Sequence, residues 1–432
     1  MKSKYTLKDA ILPNDKAANI TIEDGFIVDI GSQVEGSVIE CAGLRALPGF
    51  VDLHTHLREP GKEDSETVLS GSQAAALGGF TAVSAMANTS PVADTAGVVE
   101  QVHRLGKEAG LCDVFPIGAV TQGLAGERLA ELGAMANSAA KVRIFSDDGK
   151  CVSNSLVMRR ALEYVKAFGG VIAQHAQDPE LTVDAQMNEG LISGRLGLSG
   201  WPAVAEESII ARDILLADHV QSRLHICHLT TKGGVELIRW AKSQGINVTA
   251  EVTPHHLLLT DELATTYDAV YKVNPPLRTD SDVHALRQGV ADGTIDIIAT
   301  DHAPHPVEDK ECEWNAAAFG MLGLETALPV AVTTLIDTGL ITWERLADVM
   351  SITPAKIGGY EGHGEGLKVG SRANLTLVNP NRPFTVNREK LASKSRNTPF
   401  HGMTFPVSIE HTIYKGIFVV RDGRLTGEKY AE

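Results

Sequence analysis

No segment of this chain approaches the roughly eighteen uninterrupted apolar residues that a membrane span requires. The opening residues Met1-Lys2-Ser3-Lys4-Tyr5 lead into no apolar stretch, so a secretory leader is not expected. Cysteine is scarce: Cys41, Cys112, Cys151, Cys227 and Cys312 are odd in number, far apart and never spaced as CxxC. That pattern argues against a disulfide framework and a thiolate zinc site, and it suits free thiols in a reducing cytoplasm. Positive charge is short as well. A net charge of -15, from 39 basic and 54 acidic residues, argues against nucleic acid or an anionic membrane as a partner. A small anionic substrate stays open, because local residues set the field inside a cleft. No GxGxxG follows a strand-like run, so nothing favours a doubly wound dinucleotide-binding sheet.

What is present is the composition of a soluble globular protein, 43% hydrophobic and 22% charged over 432 residues, more chain than one ordinary domain uses. Both ends read as short strands. Asn19-Ile20-Thr21-Ile22-Glu23 alternates, Asp24-Gly25 signals a hairpin, and Phe26-Ile27-Val28-Asp29-Ile30 follows. Residues 373–378 and 417–420 repeat that texture, with Asp422-Gly423 as another tight turn. The termini are therefore expected to meet in one small β-sandwich domain, residues 1–47 supplying one part and 361–432 the other. The middle, 48–360, has a different rhythm. Eight β-rich runs recur between helical patterns: Gly49–Leu53, Thr81–Ala87, Asp113–Val120, Lys141–Phe145, Gly170–Gln174, Arg223–His228, Asn247–Val252 and Ile295–Thr300. Asp64-Ser65 reads as the cap of a helix that Gly78-Gly79 ends, and 233–242 as another closed by Gly245. Strand and helix alternating eight times predict an α/β fold, a (β/α)8 TIM-type barrel.

In such a barrel the reactive residues stand at the C-terminal ends of the strands. Here those ends carry His54 and His56, Asn88, Asp147-Asp148, His175, His228, His255-His256, and Asp301-His302 with His305. His54 and His56, spaced i, i+2, share one face of a strand. Each residue alone has a plain explanation: a hydrogen-bonded core histidine, a helix cap, a turn. Gathered at one rim, four histidines and two aspartates would each cost several kcal/mol to bury without partners. A metal cluster removes that cost. Nitrogen and carboxylate ligands without thiolate suit zinc, with manganese or cobalt as substitutes. His54, His56, Asp148, His175, His228 and Asp301 are too many for one tetrahedral ion and fit two ions about 3.5–4 Å apart. Ligands from the first and eighth strands would hold one, those from the fifth and sixth the other, with Asp148 bridging. Water between such ions becomes a nucleophile at neutral pH, which implies hydrolysis of an amide-like bond or its reverse.

A set of longer motifs sharpens this. Residues 51–61 (Val-Asp-Leu-His-Thr-His-Leu-Arg-Glu-Pro-Gly), Ser146-Asp147-Asp148-Gly149, Thr253-Pro254-His255-His256-Leu257, Val273-Asn274-Pro275-Pro276-Leu277-Arg278, residues 299–305 and Arg396-Asn397-Thr398-Pro399-Phe400 together resemble the dihydroorotases of the amidohydrolase superfamily, in their long bacterial class. The likeness runs almost end to end. It implies reversible hydrolysis of dihydroorotate to N-carbamoyl-L-aspartate in pyrimidine biosynthesis, with two zinc ions, a bridging hydroxide as nucleophile and Asp301 as general acid and base. It implies that Arg58, Asn88, Asn274, His305 and the Phe319-Gly320 pair contact substrate, Arg58 and His305 answering its carboxylate. A homodimer is the expected assembly, and association with an aspartate transcarbamoylase is compatible with activity. A metal-free assembly partner would be expected to lose metal histidines, and all four are here.

Two departures matter. The family often has Met-Pro-Asn-Thr where this chain has Met86-Ala87-Asn88-Thr89, which leaves that loop freer. Hydantoinases and allantoinases, the rival cyclic-amide hydrolases, bridge their metals with a carboxylated lysine; the matching position here is Asp148, with Lys150 two residues on. The charged loop from His302 to Ala318 reads either as a lid over the site or as solvated surface.

Overall fold

The structure, a computed structural model, describes residues 4–431. It is mixed α/β. Eight parallel strands carry the middle of the chain: β1 (Phe50–Thr55), β2 (Phe80–Ala85), β3 (Asp113–Pro116), β4 (Ile144–Phe145), β5 (Val171–Gln174), β6 (Leu224–Ile226), β7 (Val248–Val252) and β8 (Ile297–Ile298). Each overlaps one of the eight apolar runs: β1 extends two residues past the end of its run, β2 starts one residue before its own, and the other six lie within theirs. The order β1-β2-β3 forms one ladder and β4 to β8 another, all in parallel register. Parallel bridges join them at both ends, Gly118 to Phe145 and Thr55 to His302.

Helices α1 (Val68–Leu77) and α2 (Ala96–Ala109) follow β1 and β2. In α2 the buried residues Val99, Val102, Gly106 and Ala109 recur at helical spacing, so one face packs inward. Gly106 is needed there, because a Cβ would come within 2.5 Å of Val114 on β3. The cap of α1 differs from the expectation. The Thr67 hydroxyl accepts the Ser70 amide at 3.1 Å and the Ser70 hydroxyl accepts the Thr67 amide at 3.0 Å, a reciprocal box that starts the helix after Asp64-Ser65. Gly78 and Gly79, the latter at φ 85°, end it as read. The later helix, Lys232–Ser243, is capped by Thr231 and followed by Gly245 at φ 75°.

Strands from both chain ends form a single nine-stranded sheet. Its junction is Leu375–Asn379 running antiparallel to Arg45–Pro48. The Asp24-Gly25 and Asp422-Gly423 turns, with φ of 52°, 81°, 53° and 72°, close hairpins as the left-handed pairs of tight turns do. Leu7, Ile20, Ile22, Ala46, Leu375, Leu377 and Ile413 make one core cluster of this sheet. A separate cluster joins Val51, Leu53, Ala82, Ile144, Ala173, Cys227, Ile297 and Ala299, drawn from most of the parallel strands. Among the described residues no helix is long and apolar enough to cross a membrane, and all five cysteines are free.

Candidate active site

The first two ligand candidates come from β1, whose pairing with β2 slips by one residue between Asp52 and Thr55. A bulge of this kind re-aims side chains. Leu53 packs in the strand-derived apolar cluster, yet His54, next in the chain, turns to Asp148 and Asp301. Asp52 supports the slip by accepting the amides of His54, at 3.0 Å, and Thr300, at 3.1 Å.

Six buried side chains converge. His54 Nε2 lies 3.3 Å from Asp148 Oδ1 and from Asp301 Oδ1, and His56 Nε2 lies 3.0 Å from Asp301 Oδ1 and 3.3 Å from Asp148 Oδ2. Asp148 Oδ1 is also 3.3 Å from His175 Nδ1 and from His228 Nε2, which are 2.9 Å from each other. Two groups with metal-ligand spacing result, His54-His56-Asp148 and Asp148-His175-His228, sharing Asp148. The outward ring nitrogens of three of the four histidines are occupied. His54 Nδ1 donates to Glu251 at 2.5 Å, His56 Nδ1 to Asn88 at 2.9 Å, and His175 Nε2 to Gln177 at 2.7 Å. These bonds place the protons outward and the lone pairs inward, as in metal-binding histidines held by carboxylates or amides. His54 Nε2 has no hydrogen-bond partner of good geometry among the described residues. Three residues of this rim, Arg58, His228 and Asp301, hold left-handed φ of 63°, 30° and 47°, strain that packing must over-determine.

The electrostatics are those of a cation site. Burial opposes charge on His54, but Glu251, Asp148 and Asp301 outweigh it and hold its pKa well above the usual range. Burial likewise pushes Asp148 up, and His54, His175 and His228 pull it well below the carboxylate range. The two carboxylates thus favour a positive charge in their midst, held by the protonated His54 ring; a divalent cation binding there would displace that proton and meet an imidazole lone pair beside ionised carboxylates.

Beside this cluster, Arg58 is buried at 7% exposure and forms no ion pair with Glu59 or Glu63. Its Nε donates to Pro304 O at 3.0 Å and its Nη2 reaches His305 Nε2 at 3.2 Å. The same ring nitrogen lies 2.8 Å from Phe319 O. Burial, with Arg58 and Lys310 nearby, lowers the His305 pKa to about 2, so the ring is neutral and Nε2 serves one of these partners at a time. Asn274 Nδ2 donates to Gln177 at 3.3 Å while its buried Oδ1 is unpartnered among the described residues. Gly320, at φ 149°, donates its amide to Lys272 O at 3.0 Å, and a Cβ there would meet the His305 ring at 2.8 Å.

The other polar residues at strand ends stay out of the cluster. Asp147 accepts the Val120 and Thr121 amides at 2.7 and 3.0 Å, His256 is held by Thr253 and the Pro275 carbonyl, and His302 accepts the Gly323 amide. His255 is buried with its pKa lowered to about 4 by desolvation. Lys150 is exposed and belongs to neither group. The loop after β8 is anchored: Lys310 is buried and donates to the carbonyls of Lys272, Ala318 and Gly320 at 3.0, 2.9 and 3.1 Å. Despite the absent proline, the 86–89 loop is tied by Asn88 to His56 and by Thr89 to Pro91 O at 2.8 Å. Glu251 and Gln177 were not singled out from the sequence. A carboxylate inside the apolar run 247–252 was the available signal for Glu251, since such groups are seldom buried unpaired.

The chain is 62% identical over 427 residues to a dihydroorotase of Streptomyces coelicolor, the match covering 98% of this chain and 100% of that one. The chain belongs to the dihydroorotase family. A second dihydroorotase, from Leifsonia xyli, is 61% identical across 97% of this chain and 96% of its own length. The model for dihydro-orotase-like proteins matches residues 43–234, which hold five of the six converging side chains. Among solved structures, an L-hydantoinase (dihydropyrimidinase) from Arthrobacter aurescens superposes with a TM-score of 0.88 at 27% identity, over 99% of this chain and 98% of that one. Family membership implies a metal cofactor, and the inward-facing donors fit one.

Proposed function

We propose that this chain interconverts dihydroorotate and N-carbamoyl-L-aspartate by reversible cleavage of the ring amide, a step of pyrimidine biosynthesis in the cytoplasm. The observation that carries the reading is the pair of ligand groups sharing Asp148 beside a buried guanidinium that has no ion-pair partner among the described residues. We read the parallel strands, with their bridges at both ends, as a closed (β/α)8 barrel over residues 48–360. The nine-stranded sheet is then the body of a composite β-sandwich domain from 1–47 and 361–432.

His54, His56 and Asp301 would hold one zinc ion and His175 and His228 the other, with Asp148 shared. Zinc so bound supplies Lewis acidity and lowers the pKa of water to about 7. Asp301 takes the proton of the attacking water. It returns that proton to the ring nitrogen as the carbon–nitrogen bond breaks, which leaves the carbamoyl NH2 and a new carboxyl group that releases the water's second proton to solvent. In ring closure Asp301 removes a proton from the carbamoyl nitrogen and delivers it to the hydroxyl oxygen departing from the protonated substrate carboxyl, which leaves as water. Arg58 donates to the substrate carboxylate with His305 alongside, and Asn274 Oδ1 accepts a ring N–H. Asn88 acts through the His56 ring it holds, and the Phe319 carbonyl fixes the face of His305.

Parallel assays with dihydroorotate, hydantoin and allantoin test the reading. Turnover of dihydroorotate far above the other two is expected. Preference for hydantoin or allantoin would overturn it.

A further inference from the structure

Residues 393–397 tie together the two loops that carry Arg58 and His305. The Ser393 hydroxyl and the Lys394 amide, the latter at 3.2 Å, both donate to Glu66, and the Ser395 hydroxyl donates to Ser65 O at 2.7 Å. Those contacts grip the segment that follows Arg58. Asn397 then grips the segment after β8. Its Oδ1 accepts the His305 amide at 3.2 Å, and its Nδ2 donates to Ala303 O at 2.9 Å and Gly320 O at 3.1 Å. Its own carbonyl accepts the Leu322 amide at 3.1 Å. The side chain is 4% exposed, so these bonds form away from water, where losing one costs the full desolvation of the group left behind.

We infer that Asn397 is a positioning residue for recognition of the substrate carboxylate, holding His305 against Gly320 and beside Arg58. The inference rests on the reading of Arg58 and His305 given under Proposed function. The Asn397 amide group bonds the His305 backbone with one atom and the Gly320 carbonyl with the other, and the His305 ring lies where a Cβ on Gly320 would be, so this side chain helps set the spacing of that contact. Asn397 touches neither ligand group, so its loss reaches substrate through His305 and leaves the metal donors in place.

The test is a double-mutant cycle on the metal-loaded enzyme, Asn397→Ala against His305→Asn, with kcat, KM and bound metal read for dihydroorotate. Asn397→Ala is expected to raise KM about tenfold or more, the scale of a misplaced contact, with kcat within about threefold and metal content unchanged. In the double variant the two increases should fail to multiply, because both act at one point. Asn397→Asp, which keeps the acceptor for His305 and loses both donors, takes the same place in the cycle if the alanine variant does not fold. Increases that multiply, an unchanged KM, or kcat falling as far as KM rises would each overturn the inference. If His305→Asn itself leaves KM unchanged, the carboxylate reading falls and this inference with it; if only the Asn397 variants are silent, the inference falls alone.

Discussion

Asp301 is held at φ 47° with Oδ1 within 3.3 Å of two imidazoles, a place where an aspartate both faces a cation and reaches a proton in transit. Replacing it by asparagine keeps the shape and removes the base. Asp301→Asn is expected to lower kcat by about two to four orders of magnitude, the range for loss of general acid–base catalysis. Steady-state rates on protein with measured metal content check this, and an undiminished kcat would remove Asp301 from its role. Much of the site was legible at this scale because histidines and carboxylates are costly at buried strand ends. His54, His56, Asp148, His175, His228 and Asp301 announced themselves that way. What single residues cannot show is which of their atoms are already engaged. Asn88 and Gly320, both expected at the substrate, already have partners within the protein: Asn88 Oδ1 bonds His56, and the Gly320 amide bonds Lys272 O.

At the scale of elements, β7 does more than separate β6 from β8. Glu251 at its end bonds His54 of β1 at 2.5 Å, His225 of β6 at 3.0 Å and the His228 amide at 3.1 Å. Burial pushes this carboxyl up, but His54 and His225 draw it well below the ordinary range, so it is a fixed anion behind the ligands. Glu251→Gln is expected to weaken metal binding by about 10- to 100-fold, the usual effect of removing such a support. Titration with a competing chelator measures it, and unchanged retention would contradict it. The eight strands were legible as short β-branched runs. The slip in β1 was not, because nothing in Asp52-Leu53-His54 marks an extra residue; it appears only when β1 is laid against β2. The start of α1 was misplaced because Asp64 and Thr67 are both good caps, and the reciprocal bonds between Thr67 and Ser70 favour the second.

The whole molecule is joined where β3 begins. Asp113 accepts from His363 Nε2 at 2.8 Å, Tyr414 Oη at 2.7 Å and Lys415 Nζ at 3.0 Å, linking the parallel strands to the nine-stranded sheet. Burial raises its pKa, and His363, Lys415 and Tyr414 reverse this and carry it well below the carboxylate range. A depressed pKa contributes stability that is present above the unfolded value near 3.9 and is lost as pH falls through the folded value. Asp113→Asn is expected to cost about 2 kcal/mol at pH 7, typical of bonds to a charged group. The gap to the parent should close as the pH drops below about 4. Urea midpoints across that range measure it, and a gap independent of pH would contradict it. The shared sheet was legible from matching strand textures at the two chain ends, whereas this junction pairs residues about 300 apart and leaves no local trace.

The central claim is that six side chains between His54 and Asp301 hold a pair of divalent cations on which turnover of dihydroorotate depends. Elemental analysis per chain, paired with dihydroorotate turnover before chelation, after it and after zinc is restored, tests this most directly. Two ions per chain, activity lost with them and regained on their return, are the predicted result. Full turnover by a chain stripped of metal would contradict the account.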